Sequence, residues 1–138
     1  MNSLPFKITG VLTDFADSEG IARIEGEALV LEFQIIDNMF GLLKSAPREV
    51  TIPFADLAEA VFRRGVFSGV LTLRARRLTT LASVPGIKES ELQLRCKRRD
   101  RATAAEFASR LSMRILEHDL REMAGSNRPP AALPGGQD

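Results

Sequence analysis

An alternating strand that runs straight into a single long amphipathic helix, within residues 89–123, most constrains what this chain can fold into. Between Glu91 and Lys97, Leu92, Leu94 and Cys96 fall on one side and Glu91, Gln93, Arg95 and Lys97 on the other, the period of a half-buried strand. Asp100 stops the alternation. A short acidic side chain there accepts hydrogen bonds from free backbone N–H groups and suits the positive end of a helix, while Thr103 with Glu106 offers a capping box three residues later. Ala104, Phe107, Ala108, Leu111 and Ile115 then recur at spacings of three and four on one stripe. Burying Phe107, Leu111 and Ile115 is worth ~1.5–3 kcal/mol each, comparable in sum with the net stability of a small domain. Met113, Leu116, Leu120 and Met123 make a second stripe with the 3-4-3 spacing of a helix-pairing seam. Either these four are ordinary exposed residues, or they are a partner surface.

At 138 residues the chain suits one domain with a proper core. The expected division is a single domain over 1–123 and a Pro/Gly-rich tail over 124–138 that cannot bury enough to order itself. No apolar run approaches the roughly 18–20 residues needed to cross a bilayer. The first fifteen residues lack a basic segment followed by an unbroken apolar stretch, so a cytoplasmic location is expected. Cys96 is the single cysteine, which excludes an internal disulfide and a multi-cysteine metal cluster and marks it as a small core residue.

The formal net charge of +1 conceals a segregation. Residues 1–60 hold four basic and ten acidic side chains, whereas residues 61–101 hold eleven basic and three acidic. Sequence-distant strands become neighbours in a β-fold, so the basic excess either faces the acidic strands of the first half or forms a surface that meets phosphate.

Along the chain, Phe6–Phe15 reads as a first strand bent at Gly10, and Asp14 to Gly20 as an acidic loop. Ile21–Glu25 and Ala28–Ile36 flank a turn and predict a hairpin with Leu29, Leu31, Phe33 and Ile35 on one face. The connection 37–48 is apolar for a loop: Met39, Phe40, Leu42 and Leu43 either tuck onto the core or form a contact loop. Glu49–Pro53 is a short strand that Pro53 ends or holds at an edge, and residues 54–57 make one helical turn. Leu57–Arg64 and Gly69–Arg77 pair next, joined by residues 65–68. Leu78–Val84 extends the second of them, and Pro85 with Gly86 turns the chain toward Glu89.

Seven strands with one wet face, followed by one helix, predict a mainly β (α+β) fold: a seven-stranded antiparallel barrel or split sandwich capped by a C-terminal amphipathic helix. That order, with the run from Ile52 to Leu57 leading into a strand, the pair from Leu71 to Cys96, and Asp100-Arg-Ala followed by Phe107 and Leu111, resembles the bacterial pleckstrin-homology-like domains over about residues 6–118. The resemblance implies such a fold and, since bacterial members are adaptor and assembly domains more than enzymes, a binding role. Two departures bear on function. Phosphoinositide-binding members carry Lys/Arg around the first hairpin loop, where this chain has Asp14, Asp17 and Glu19, so the usual lipid site is expected to be absent. Eukaryotic members carry a helix tryptophan, which this chain lacks; Phe107 or Leu111 must fill that position.

No catalytic residues, metal ligands or cofactor are expected. His118 is the single histidine and continues the buried stripe at its far end, and no metal-binding spacing, phosphate cradle or nucleophile elbow is present. The expectation is a non-enzymatic binding or scaffold module acting through protein–protein contacts and self-associating through Met113, Leu116, Leu120 and Met123, or through Phe40, Leu42, Leu43 and Phe67. The alternative is a peripheral binder of anionic membrane surfaces, with Arg63, Arg64, Arg74, Arg76, Arg95 and Lys97 meeting the headgroups beside Phe67. Nucleic acid ranks last, because the arginine cluster around Arg95 lacks stacking aromatics.

Overall fold

The computed structural model describes residues 3–9, 16–37, 46–77, 84 and 90–127. Seven strands, β1 (Ser3–Ile8), β2 (Ala16–Glu25), β3 (Ala28–Asp37), β4 (Arg48–Pro53), β5 (Leu57–Arg64), β6 (Ser68–Ala75) and β7 (Glu91–Lys97), are followed by one helix, α1 (Arg101–Asn127). All pairings are antiparallel, in the order β4-β3-β2-β1-β7-β6-β5. Among the described residues the sheet does not close into a barrel, in keeping with the split arrangement, and β4 and β5 are its edges.

Alternation decides which side of each strand is inside. Leu4, Phe6 and Ile8 of β1, Leu29, Leu31 and Phe33 of β3, Leu71 and Leu73 of β6, and Leu92, Leu94 and Cys96 of β7 all point to one core. The helix seals it: Ala104, Phe107, Ala108, Leu111 and Ile115 are buried, the stripe the sequence predicts. Phe54, on the 3-10 turn Phe54–Asp56 between β4 and β5, fills the corner, and its N–H donates to the Glu27 carbonyl at 3.0 Å.

Several boundaries differ from expectation. The first strand, Ser3–Ile8, begins before Phe6, and residues 10–15 of the expected span Phe6–Phe15 lie outside the described residues. The supposed acidic loop is mostly strand: β2 begins at Ala16, and Asp17 and Ser18 are buried opposite Ile36 and Ile35. Strand formation there comes from pairing with β1 and β3, which overrides the weak β-propensity of Asp, Ser and Gly. A 3-10 turn, Arg98–Asp100, precedes the helix, which runs four residues past Met123, so 124–127 are helical rather than tail. The bend at Gly10, the extension 78–83, the turn at Pro85 and the contact-loop residues Phe40, Leu42 and Leu43 lie outside the described residues.

Two features set the curvature. Gly26, at φ +57, takes the first central position of the two-residue β2–β3 turn, a backbone conformation that glycine adopts freely. Gly20 lies between Phe6 of β1 and Phe33 of β3, where a Cβ would stand 1.9 Å from the Glu32 carbonyl oxygen. The three strands coil tightly enough at this point to exclude any side chain. Among the described residues the ladder between β1 and β7 holds a single pair, Lys7 with Arg95. Pro5 would come opposite Lys97 in that register and has no N–H to give, which accounts for the seam opening there.

Gly20→Ala is expected to cost about 3 kcal/mol or more in urea unfolding, because backbone must move to admit the methyl group. Gly125→Ala, in open space on the helix, is expected to stabilise by ~0.5–1 kcal/mol.

Candidate functional site

The outer side of α1 carries Met113, Leu116, Leu120 and Met123, each between 50% and 58% exposed. Burying the inner stripe against the sheet fixes this second stripe outward, since the two lie on different sides of one helix. Toward its N-terminal part the stripe borders a groove of about 580 Å³ whose opposite wall is Ala60, Val61 and Phe62 of β5. The Ser112 hydroxyl donates to the Ala60 carbonyl at 3.0 Å and pins the helix to this edge strand. Val61 stands exposed beside it. Sequence reasoning gave the stripe but missed Val61 and Ser112, because no local signal says which strand becomes an edge.

The same helix is tied to the β2–β3 turn through Glu27. Arg114 donates to the Gly26 carbonyl at 2.6 Å and to the Glu27 carboxylate at 3.3 Å, Arg121 donates to the same carboxylate, and His118 Nδ1 lies 3.6 Å from it. Partial desolvation pushes the Glu27 carboxyl upward, but Arg121, Arg114 and His118 together outweigh it and hold Glu27 below its ordinary value. Arg114 also stacks over the Phe54 ring, 5.4 Å from its centroid. His118 is largely covered and contributes to this attachment; its Nε2 is buried without a partner among the described residues.

The basic side chains divide into two sets. Arg23 bridges Glu25, Glu32 and Glu49, and these carboxylates raise its pKa; Glu32 and Glu49 are directly opposed across β3 and β4, so Arg23 neutralises a like-charge pair. Arg74 pairs with Glu59 at 2.9 Å, Arg76 with Asp119 at 2.8 Å and Arg77 with Asp56 at 3.1 Å. Among the described residues, Arg63, Arg64, Arg95, Lys97, Arg98 and Arg99 have no carboxylate partner within 4.0 Å.

The six expected cationic contacts therefore do not form one wall. Arg74 lies opposite Glu91 and Arg95 opposite Val70, four register steps or about 13 Å apart. Arg63, Val70, Arg95 and Lys7 instead occupy one row across β5, β6, β7 and β1. Where the β1–β7 seam opens, a pocket of about 580 Å³ is lined by Lys7, Arg95, Lys97, Arg98 and Arg99, with Phe67 at its rim and Glu19 and Asp100 as its acidic members. Lys7 is offset by Asp17 at 3.4 Å and Glu19 at 3.8 Å.

Cys96 also borders this pocket but is 2% exposed, and burial, aided by the nearby Asp100 carboxylate, pushes its thiol up to about 11. It is protonated and unreactive at neutral pH. Among the described residues no group of three or more His, Cys, Asp or Glu side chains converges on a point, and no helix is long and apolar enough to cross a membrane. Fold and surfaces together define a mainly β protein, a seven-stranded antiparallel sheet sealed by one C-terminal helix. No protein-family model, curated protein or solved structure matches the chain.

Because Glu27 is held below its ordinary value of 4.5, its contribution to stability is fully present above that pH and is lost as the pH falls through the lower, folded value. Glu27→Gln is thus expected to lower Tm at pH 7, with the gap to the unsubstituted protein closing as the buffer is acidified below 4.5 in thermal melts.

Proposed function

We propose that this protein is a non-enzymatic binding module that acts through protein–protein contacts and pairs with a second copy of itself through the outer stripe of α1. The observation that carries the reading is the exposure of Met113, Leu116, Leu120 and Met123 together on one side of a helix whose other side is fully engaged. Scattered surface leucines need no explanation, but four large apolar residues in consecutive turns form a contiguous patch. Their order favours a like partner. Methionine at each end and leucine at the two inner positions reads the same in both directions about residue 118. An antiparallel pair related by a two-fold axis near that residue sets Met113 against Met123 and Leu116 against Leu120, the self-complementarity that a closed dimer requires.

Assignment to the bacterial pleckstrin-homology-like domains, and a cytoplasmic location, belong to the same reading. Seven antiparallel strands sealed by one C-terminal helix support the first. Exposed Phe67 is the part of the second expected contact set that falls within the described residues, and it lies away from this stripe at the β5–β6 connection.

Sedimentation velocity at high micromolar concentration is expected to give a dimer, and Leu116→Glu with Leu120→Glu a folded monomer with an unchanged melting curve. Oxidation provides a geometric check. The double variant Met113→Cys with Met123→Cys should cross-link between subunits, whereas Met113→Cys alone should not, because its partner position is Met123. A sharp monomer at that concentration rejects the reading, and cross-linking by Met113→Cys alone rejects the antiparallel arrangement.

A further inference from the structure

Away from α1's outer stripe, six cations without carboxylate partners gather where β5 and β7 end. Arg63 and Arg64 close β5, Arg95 and Lys97 close β7, and Arg98 and Arg99 follow on the 3-10 turn. Residues 65–67, between β5 and β6, stand among them: Ser68 is paired with Lys97, so the connection lies beside the end of β7. Val66 at 70% and Phe67 at 81% are the most exposed of the large hydrophobic side chains among the described residues. An aromatic and an aliphatic group held in water beside unneutralised cations is a combination that the rest of the described surface avoids.

The connection is also braced by hydrogen bonds. The Gly65 N–H donates to the Ser68 carbonyl at 2.7 Å, and the Arg101 guanidinium, from the first turn of α1, donates to the carbonyls of Gly65 and Val66, the latter at 3.2 Å. Burial, reinforced by repulsion from Arg64 and Arg98, lowers the pKa of Arg101. Two consequences follow. The bonds to Gly65 and Val66 hold the tip's backbone in advance of a partner, which lowers the ordering entropy that docking costs. The carbonyls of Gly65 and Val66 are already satisfied, so these two can leave water without the penalty that bare backbone meets in an apolar medium.

We propose that this end of the molecule docks on the interface of an anionic bilayer, with Val66 and Phe67 entering the boundary between headgroups and acyl chains and the surrounding unpaired cations meeting lipid phosphates. A free phosphate ligand would be served by the pocket cations alone and would leave Val66 and Phe67 in water. A single nucleic-acid strand would use Phe67 for stacking but has no place for Val66. A bilayer interface takes both the apolar tip and its basic surround. This surface is separate from the helix stripe, and the two readings stand or fall independently.

The test is vesicle flotation of the full chain with phosphatidylcholine vesicles, with and without phosphatidylserine. The protein is expected to float with the anionic vesicles alone, and to be released as the ionic strength rises to about 0.5 M. Arg98→Gln and Arg99→Gln should each lower the partition coefficient about fivefold, the loss expected for one surface cation. Val66→Ser with Phe67→Ser, which leaves the charge unchanged, should remove most of the binding while the melting curve stays in place. Leu116→Glu with Leu120→Glu should still float, which separates this surface from the one on α1. The proposal is overturned if anionic vesicles do not carry the protein, or if the Val66 and Phe67 substitutions leave flotation unchanged. It is equally overturned if Leu116→Glu with Leu120→Glu abolishes binding, or if inorganic phosphate or a single-stranded oligonucleotide binds the protein while vesicles do not.

Discussion

Burial of Ala104, Phe107, Leu111 and Ile115 against the concave side of the sheet is the contact on which the other features depend. With β4 and β5 left as unjoined edges, the strands alone would leave one mouth of the core open to water. The helix fills that mouth and, being a straight rod, has to turn another side outward. The outer apolar stripe, the groove against β5 and the attachment of Arg114 and Arg121 to Glu27 are all placed by how the inner stripe docks. Electrostatics then adds orientation to this apolar seal: Glu27 from the hairpin and Asp119 meeting Arg76 hold the helix at two points along its length. These contacts are exposed and individually weak, so they refine the docking more than they drive it.

Most of the secondary structure was legible because two periods, two residues for strands and three to four for the helix, recur cleanly in β3, β6, β7 and α1. The failures have physical causes. Asp17, Ser18, Glu19 and Gly20 have the identities of loop residues, yet the ladders to β1 and β3 hold them extended, and Gly20 is there because neighbouring backbone leaves no room for a Cβ. At the surfaces, the α1 stripe could be read from spacing alone. Which arginines are neutralised could not be: Arg76 finds Asp119 at a separation of 43 residues and Arg23 finds Glu49 at 26, pairings that exist only once the sheet order is known.

That sheet order also resolves the segregation of charge along the chain. Acidic residues of the first half do neutralise some basic ones of the second, as when Glu59 meets Arg74 and Glu27 meets Arg114 and Arg121. Neutralisation stops where β5 and β7 leave the sheet. The basic excess of residues 61–101 is therefore concentrated there rather than spread over the fold, and the apolar tip at Val66 and Phe67 shares its location.

The joining of β1 to β7, distant in sequence, has a kinetic implication. Strands β1 to β4 and strands β5 to β7 are each consecutive meanders, built from pairings between neighbours in the chain, while the join between them brings the first strand against the last. Sequence-local pairings close with little loop entropy and form early, whereas contacts between distant segments wait. The two meanders are accordingly the natural first products of folding, and their coming together is the late event, completed when the helix, last in the chain, settles across both.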